Sequence, residues 1–132
     1  MTYAKNVRSG FSLIEIMIAV SIAAAMAAFV ASYVFQYWDK SKVNSAKITL
    51  KQIQQAIEFY NSDVTEYPET LKDLVQKPSD EKKAQAWQGP YLKEVPKAPW
   101  GKFQYQVLEG QEHPYELYFN DKTKKKISVW NA

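Results

Sequence analysis

A chain of 132 residues, 46% of them hydrophobic, has room for one small domain and excludes the large buried core of a sizeable enzyme. The formal net charge of +3 gives no reason to expect a nucleic-acid partner. Because the chain contains no cysteine, a disulfide framework and a thiolate metal site are both excluded.

The first predicted element is a membrane-spanning helix. In residues 16–35 the only clearly polar side chains are Ser21 and Ser32, and a helix of about 20 apolar residues is long enough to cross a bilayer. Because cationic flanks stay on the cytoplasmic side, Lys5 and Arg8 predict a cytoplasmic N-terminus and an exported remainder.

A secretory signal peptide is the alternative use of this segment, since alanines at positions 23–25, 27 and 28 would suit a signal peptidase. However, the apolar run is longer than the ~7–15 residues of a signal-peptide core, and it continues through Phe29, Tyr33 and Phe35. Cleavage at the alanines would leave those side chains exposed at a new terminus. The pattern therefore favours the membrane span.

Glu15 is the only charged residue in residues 11–35, and it lies where the helix would enter lipid. An ionised side chain at the bilayer centre costs about 2.5–3.5 kcal/mol or more, and less near the interface, so intramembrane acids usually have a partner. The alternative is an interfacial glutamate that is stabilised only by the positive N-terminal end of its own helix. Taken alone, Glu15 does not decide between the two.

The residues around Glu15 form a pattern of a basic leader, a glycine, an aromatic residue, a short apolar stretch and the acid. This string, Arg8-Ser-Gly10-Phe-Ser-Leu-Ile-Glu15, resembles the prepilin peptidase site of type IV pilins and pseudopilins. The resemblance implies a leader of residues 1–10, cleavage between Gly10 and Phe11, and N-methylation of Phe11. It also implies that Phe11 and Glu15 act in assembly, because the freed α-ammonium of one subunit would be neutralised by Glu15 of a neighbour at low dielectric.

Beyond the span the chain becomes amphipathic. Apolar residues recur at alternating steps of three and four along one helical stripe: Val43, Ala46, Leu50, Ile53, Ile57 and Tyr60. Neither proline nor glycine occurs between Phe11 and Asn61, which predicts a single helix of roughly 75 Å at 1.5 Å per residue. Because the stripe covers fewer than three heptads, we expect it to pack on the chain's own head rather than in a coiled coil.

The segment after the long helix is rich in turn-forming residues. Tyr67-Pro68 predicts a turn, and residues 71–75 predict a short helix. Residues 79–86, rich in Lys, Glu and Asp, are expected to form an exposed loop. The prolines and glycines of residues 89–101 are expected to exclude regular structure there.

Alternating apolar residues then predict three strands: Phe103-Tyr105-Val107, Tyr115-Leu117-Phe119 and Ile127-Val129. Three short strands are not stable unless one face is covered, and the amphipathic half of the long helix is the only apolar surface long enough to cover it. The predicted fold class is therefore α+β and pilin-like: a long N-terminal α-helix packed on a small antiparallel β-sheet head. Residues 11–35 are assigned to the transmembrane and polymerisation helix, and residues 36–132 to the head with the amphipathic half of the helix.

The head contains five short strings in this order: Tyr67-Pro68, Trp87-Gln-Gly-Pro-Tyr-Leu92, Val95-Pro-Lys-Ala-Pro-Trp-Gly101, Tyr115-Glu-Leu-Tyr118 and Trp130-Asn131. In order and spacing they resemble the heads of the major pseudopilins of type II secretion systems. The resemblance implies a structural head motif: Trp87, Gly89, Pro90, Tyr91, Leu92, Pro99, Trp100, Gly101 and Trp130. We interpret Trp87 and Trp100 as staples that bury aromatic area where regular structure is lacking.

The sequence departs from that family at two places. Ala98 occupies a position where the family usually has aspartate, and residues 120–126 replace a longer Gly/Asp-rich loop that binds calcium in the family. The carboxylate of Asp121 is surrounded here by four lysines: Lys122, Lys124, Lys125 and Lys126. Because calcium needs about 6–8 oxygen ligands, several of them anionic, we expect no calcium site and no other cofactor.

In place of the calcium loop we expect a hairpin turn at Asn120-Asp121, with the lysines as a solvated rim. The alternative role for these lysines is binding to an acidic substrate or to anionic lipid. Charge runs of this kind usually face solvent, which favours the rim.

Catalytic chemistry has few candidate residues. His113 is the only histidine, and it lies in residues 109–114, a segment expected to connect two strands at the surface. A lone loop histidine, in a chain with no cysteine and no glycine-rich phosphate loop, does not make a catalytic site. We therefore expect no enzymatic activity.

The resemblance implies a structural subunit that polymerises into a periplasmic pseudopilus and so drives export of folded proteins across the outer membrane. The implied partners are other copies of the chain, minor pseudopilins, prepilin peptidase, the inner-membrane assembly platform and membrane lipid. The implied location is the bacterial inner membrane, with one span, a cytoplasmic N-terminus and a periplasmic head. A type IV pilin or minor pilin for adhesion, motility or DNA uptake is the alternative, and a single-span binding module that never polymerises is a third.

Overall fold

The longest element of the protein is helix α1, Leu13–Val64, in a computed structural model that describes residues 10–131. Ser12 begins this helix, because its Oγ accepts a hydrogen bond at 3.3 Å from the Glu15 amide. No proline or glycine interrupts its ladder of backbone hydrogen bonds. The single long helix predicted from the sequence is therefore confirmed.

The chain divides into two units between Trp38 and Asp39. In the first unit the large apolar side chains of α1 are exposed, for example Phe29 at 67%. Within residues 10–131, α1 is the one helix that is long and apolar enough to cross a membrane, and none of its most apolar stretch is buried. Because so large an apolar surface is unfavourable in water, it requires lipid or other protein chains to cover it.

The two serines of the apolar segment form hydrogen bonds within their own helix. The Ser21 hydroxyl donates to the Met17 carbonyl at 2.7 Å, and the Ser32 hydroxyl donates to the Phe29 carbonyl at 2.8 Å. An unpaired hydroxyl is costly in hydrocarbon, so these bonds allow both serines to lie in a segment that faces lipid. A membrane span therefore needs no outside partner for either serine.

The second unit is the head, in which the described residues, up to Asn131, add two short helices and five strands to α1. These are a 3₁₀ helix (Leu71–Leu74), α2 (Glu81–Ala86), β1 (Lys97–Ala98), β2 (Gly101–Lys102), β3 (Gln104–Val107), β4 (Tyr115–Asn120) and β5 (Lys126–Ser128). β1 pairs with β2, and β4 lies between β3 and β5 in a three-stranded antiparallel sheet. In that sheet Tyr105 lies opposite Leu117, and Phe119 lies opposite Ile127. The small antiparallel sheet predicted from the alternating residues is confirmed.

The core of the head joins the apolar stripe of α1 to the sheet. One buried cluster contains Ala46, Leu50, Ile53, Ile57 and Tyr60 from α1 together with Tyr115, Leu117 and Phe119 from β4. Every second residue of β4 is buried, as expected for a strand with one covered face. Burial of a large apolar side chain contributes about 1.5–3 kcal/mol. The prediction that the stripe packs on the chain's own head is confirmed.

The prediction of an exposed loop over residues 79–86 is wrong, because Glu81–Ala86 form helix α2. Asp80 caps this helix: its Oδ1 accepts hydrogen bonds from the amides of Lys82 at 2.9 Å and Lys83 at 3.4 Å. A charged composition is compatible with a short exposed helix as well as with a loop. The hydrogen bonds to Asp80 favour the helix, because they satisfy amides of its first turn.

The prediction that residues 89–101 lack regular structure is wrong at the end of that segment. β1 and β2 pair there, with Ala98 opposite Gly101. Pro99 and Trp100 lie in the turn between the two strands, where the missing N–H of proline removes no ladder bond. Gly101 has a φ of +129°, which residues with a side chain rarely adopt.

Candidate functional site

The predicted processing site lies at the start of α1. Gly10 is exposed, and a side chain placed there would meet no atom within 4 Å. Phe11 is 80% exposed, and Glu15 is exposed in the first turn of the helix. The leader cations Lys5 and Arg8 lie outside the described residues. The bond between Gly10 and Phe11 is therefore accessible, and its cleavage stays a prediction.

Glu15 has no ionic partner within residues 10–131. No lysine or arginine of that range lies within 4.0 Å of its carboxylate. The next charged residue along the chain is Asp39, so the apolar segment itself offers no counter-charge. If the segment lies in a membrane, where acids are usually stabilised by a partner, a counter-charge for Glu15 would come from the N-terminal residues or from another molecule.

Two aromatic rings of the head motif close over Gly89. Trp87 Nε1 donates to the Asp73 carbonyl at 2.8 Å, and the Tyr91 hydroxyl donates to Asp63 Oδ2 at 2.7 Å. The rings of Trp87 and Tyr91 meet edge to face with their centroids 5.8 Å apart. A Cβ at Gly89 would lie 2.6 Å from a ring carbon of Trp87 and 2.9 Å from one of Tyr91. The close approach of the two rings therefore requires glycine here.

The backbone beside this ring pair is attached to the 3₁₀ helix. The amides of Tyr91 and Leu92 both donate to the Leu74 carbonyl, at 2.9 and 3.1 Å. Pro90 is exposed, and its peptide bond to Gly89 is cis. This segment has no secondary structure of its own, so its bonds to neighbouring elements satisfy its backbone and hold it in place.

The turn between β1 and β2 contacts α1 through Trp100. Lys42 Nζ lies 5.9 Å from the centroid of the half-buried Trp100 ring, which is within reach of a cation–π interaction. Pro99 precedes the ring in this turn, and Gly101 follows it with a positive φ. The three residues form one turn that brings the ring against α1.

Trp130 holds the C-terminal segment against the sheet. Its Nε1 donates to the Tyr115 carbonyl at 2.9 Å, and its ring stacks on the His113 ring with centroids 4.1 Å apart and planes within 3°. Lys51 on α1 donates to the neighbouring Val129 carbonyl at 3.2 Å. His113 lies in the predicted loop between β3 and β4, but it is half-buried by this stack. The geometry gives His113 a structural role.

Asp121 closes the turn between β4 and β5. Its Oδ1 accepts three hydrogen bonds: from the Thr123 hydroxyl at 2.7 Å, the Thr123 amide at 2.8 Å and the Lys125 amide at 2.9 Å. These bonds, first the one from the Thr123 hydroxyl and then the one from the Lys125 amide, lower the pKa of the Asp121 carboxyl. The predicted hairpin is confirmed, but its turn occupies residues 121–125, because Asn120 still pairs with Lys126 as the last residue of β4.

Two of the lysines around this turn contact other parts of the head. Lys122 Nζ lies 3.3 Å from Asp39 Oδ2 on α1. Lys126 Nζ lies 3.9 Å from a Glu116 oxygen and 4.4 Å from the centroid of the Tyr118 ring. Both lysines are more than half exposed, so the expected rim is solvated. The contact between Lys122 and Asp39 was missed, because the two residues are 83 positions apart and no periodicity links them.

A family sequence model described as type II secretion system (T2SS), protein G, matches residues 33–126. The chain belongs to the type II secretion protein G family. A second model, described as the prokaryotic N-terminal methylation motif, matches residues 5–31 and so includes Gly10, Phe11 and Glu15. The resemblance inferred from the N-terminal string and the head strings is thus confirmed.

Individual protein G sequences are similar along most of their length. A Pseudomonas aeruginosa protein named type II secretion system core protein G is 38% identical over 115 residues, which cover 84% of this chain and 81% of that protein. Proteins of the same name from Vibrio cholerae and Aeromonas hydrophila are 32% and 31% identical. They cover 76% and 86% of this chain and 70% and 82% of their own length.

The calcium site that the protein G family implies does not fit the turn between β4 and β5. Asp121 is the one acid of this turn, and its Oδ1 already accepts three hydrogen bonds. Across the described part of the chain, no three His, Cys, Asp or Glu side chains are close enough together to hold a metal ion. Calcium requires about 6–8 oxygen ligands, several of them anionic. This turn offers one carboxylate, whose Oδ1 is already hydrogen-bonded, and it is surrounded by lysines that would repel a cation.

Proposed function

We propose that this chain is a structural subunit of the type II secretion pseudopilus, anchored in the bacterial inner membrane before it polymerises. The observation that carries the proposal is the apolar segment of residues 10–38, whose large side chains are exposed. Its single charged residue, Glu15, has no ionic partner in residues 10–131. Such a surface is stable only in lipid or against other copies. Membership of the protein G family supports the same function.

Processing prepares the chain for assembly in this proposal. Prepilin peptidase removes residues 1–10 by cutting between Gly10 and Phe11, and the new amino terminus is N-methylated. The cut frees an α-ammonium on Phe11. Opposite charges attract far more strongly at low dielectric than in water, so Glu15 of one copy pairs with the Phe11 amine of the next. The pair fixes the register while the apolar helices leave lipid and pack on each other.

The proposed topology follows from the flanking charges. Lys5 and Arg8 keep the N-terminus in the cytoplasm, residues 11–35 form the span, and residues 36–132 form the periplasmic head. Minor pseudopilins and the inner-membrane assembly platform are the further partners of the proposal. Growth of the polymer would move folded proteins outward across the outer membrane.

No catalytic step is assigned to the chain. Its only histidine, His113, is held by the Trp130 ring, and the head motif around Gly89 maintains the shape of the subunit. A rigid head with a defined surface is what a polymer subunit requires.

The test is replacement of Glu15 by alanine in the native host. Ser21→Ala is the matched control, because among residues 10–131 the Ser21 hydroxyl donates to the Met17 carbonyl of its own helix and to no other element. Mass spectrometry of the N-terminal peptide should show methylated Phe11 in both variants. Filament assembly and release of exported proteins should be lost in Glu15→Ala alone.

Two results would overturn the proposal. The first is an unchanged chain that retains residues 1–10 in its native host. The second is normal release of exported proteins by Glu15→Ala. Cell-surface fibres, together with unchanged protein release after deletion, would instead indicate a type IV pilin.

A further inference from the structure

A groove opens in the head between the 3₁₀ helix and strands β2 and β3. Its volume is about 520 Å³, within the range of sites that bind ligands. The buried side chains of Leu71 and Phe103 give it an apolar lining. Three exposed lysines, Lys72, Lys97 and Lys102, also line it. The groove therefore combines apolar surface with positive charge.

This positive charge is not balanced within the head as far as it is described. None of the three lysines lies within 4.0 Å of a carboxylate in residues 10–131. Glu69 also lines the groove, but Lys83 engages its carboxylate at 3.2 Å. A segment that carries two neighbouring carboxylates would complement the groove.

The loop between β3 and β4, residues 108–114, carries two such carboxylates. Glu109 and Glu112 are exposed, and neither has an ion pair within the described residues. Residues 103–121 contain no lysine or arginine, so no cation lies close to the loop along the chain. The loop and the groove are therefore complementary in charge.

The loop is held in shape at its base. The Leu108 amide donates to the Pro114 carbonyl at 2.9 Å, and the His113 ring stacks on Trp130. Gly110 has a φ of +70°, and no atom lies within 4 Å of the position a side chain would take there, so the tip is open. A loop that is already ordered loses less conformational entropy when it docks.

The loop does not occupy the groove of its own copy. The groove meets β3 at Gln104 and Tyr105, whereas the loop leaves β3 after Val107, and none of residues 108–114 lines the groove. For this loop to fill a groove, the groove has to belong to a different molecule.

We propose that the groove of one copy binds the β3–β4 loop of a second copy, with Glu109 and Glu112 against the three groove lysines. This inference rests on the proposed function as a polymer subunit. It specifies one surface through which the heads of two copies would contact each other. Exposed ion pairs each add little affinity, so the contact selects the register between copies more than it strengthens the filament.

Cysteine cross-linking tests the contact directly, because the chain has no cysteine of its own. Lys102→Cys and Glu112→Cys are introduced together into the full chain, and assembled filaments are treated with a short bis-maleimide. The double variant should give a covalent ladder of subunits, and each single variant should give none. Lys82→Cys with Glu112→Cys is the matched control, because Lys82 is exposed on α2 and does not line the groove. It should also give no ladder.

Charge reversal distinguishes a second copy of this chain from any other molecule that could bind in the groove. Changing the three groove lysines to glutamate should reduce filament yield on the order of tenfold, because like charges would then face each other. Adding Glu109→Lys and Glu112→Lys to the same chain should restore it.

Each contrary outcome has a distinct meaning. One outcome is that filaments form and depend on Glu15, but the cysteine double variant gives no ladder and the second charge reversal restores no filament yield. This would overturn the contact and leave the proposed function intact. A second outcome is that changing the three groove lysines to glutamate abolishes protein release and that the changes at Glu109 and Glu112 do not restore it. This would indicate that the groove binds an acidic segment of another protein, and it would also overturn the contact between copies. Failure of the unchanged chain to form filaments would overturn both proposals.

Discussion

Replacing Gly89 with alanine should destabilise the head through one contact. The added methyl carbon would lie 2.6 Å from a ring carbon of Trp87 and 2.9 Å from one of Tyr91. Because carbon atoms that are not bonded pack at about 3.5–4.0 Å, at least one ring has to move by roughly 1 Å. Such a movement disturbs the 2.8 Å bond from Trp87 to the Asp73 carbonyl or the 2.7 Å bond from Tyr91 to Asp63.

The expected loss follows from these two effects. Overpacking in a well-packed region costs about 1–3 kcal/mol, and a lost hydrogen bond costs about 0.5–1.5 kcal/mol. The free energy of unfolding of the head should therefore fall by about 2–4 kcal/mol, a large part of the ~5–15 kcal/mol of a typical domain. For a domain of about this size, 1 kcal/mol lowers Tm by about 4–8 °C, so Tm should fall by at least about 8 °C.

The assay is thermal unfolding of the full chain in detergent, followed by tryptophan fluorescence. Gln88→Ala is the matched control, because its side chain is exposed and only its backbone amide bonds to the Tyr91 hydroxyl. Trp87→Phe removes the nearest ring carbon, so its combination with Gly89→Ala should cost less than the sum of the two single changes. A Gly89→Ala chain with Tm within about 2 °C of the unchanged protein would refute the reasoning.

Three further predictions concern the tyrosines and calcium. The Tyr60 hydroxyl is buried without a hydrogen-bond partner among the described residues, so Tyr60→Phe should leave the free energy of unfolding unchanged or raise it by up to about 1 kcal/mol in urea titration; a clear loss would contradict this. Burial, and then the nearby Asp73 charge, raises the pKa of Tyr60 to about 12, and burial raises the pKa of Tyr105 and Tyr115 in the same direction. Because the folded state holds these protons more tightly than the unfolded state, their stabilisation is complete below pH 10.0 and is lost as pH rises through the raised pKa values, the first of them that of Tyr60 at about 12. Circular dichroism should show unfolding in that window, and a fully folded chain with all its tyrosines ionised would exclude the mechanism. Finally, adding calcium or EGTA should move Tm by less than about 1 °C, since a specific site filled at 100 times its Kd would add about 2.7 kcal/mol; a clear rise with calcium alone would show that a site exists.

The elements that were predicted correctly are those with a local signal. The stripe from Ala46 to Tyr60 repeats with the period of a helix, and the residues of β4 alternate with the period of a strand. Each pattern lies within one segment and is imposed by burial of one face. Helix α1, the sheet and their packing could therefore be inferred before any contact was known.

The two wrong predictions also have local causes. Asp80, followed by a short charged stretch, is a helix-start signal that the overall charge of residues 79–86 concealed. Pro99 argues against regular structure by composition alone, but a proline in the turn between two strands is compatible with a hairpin. Both predictions relied on the amino-acid composition of a segment. Composition does not show where a residue lies within a helix, strand or turn, and that position determines its effect.

Three features could be inferred from the amino-acid sequence alone: the long apolar helix with its acid at Glu15, the match to the N-terminal methylation motif, and membership of the family. Each depends on residues close together or on the order of strings along the chain. Three other features became known only from the folded chain: two rings close over Gly89, Lys122 contacts Asp39 across 83 positions, and the acidic loop does not line the groove of its own copy. The physical reason is that periodicity records which face of a segment is buried, whereas a contact between distant residues depends on where the chain reverses and how the elements pack.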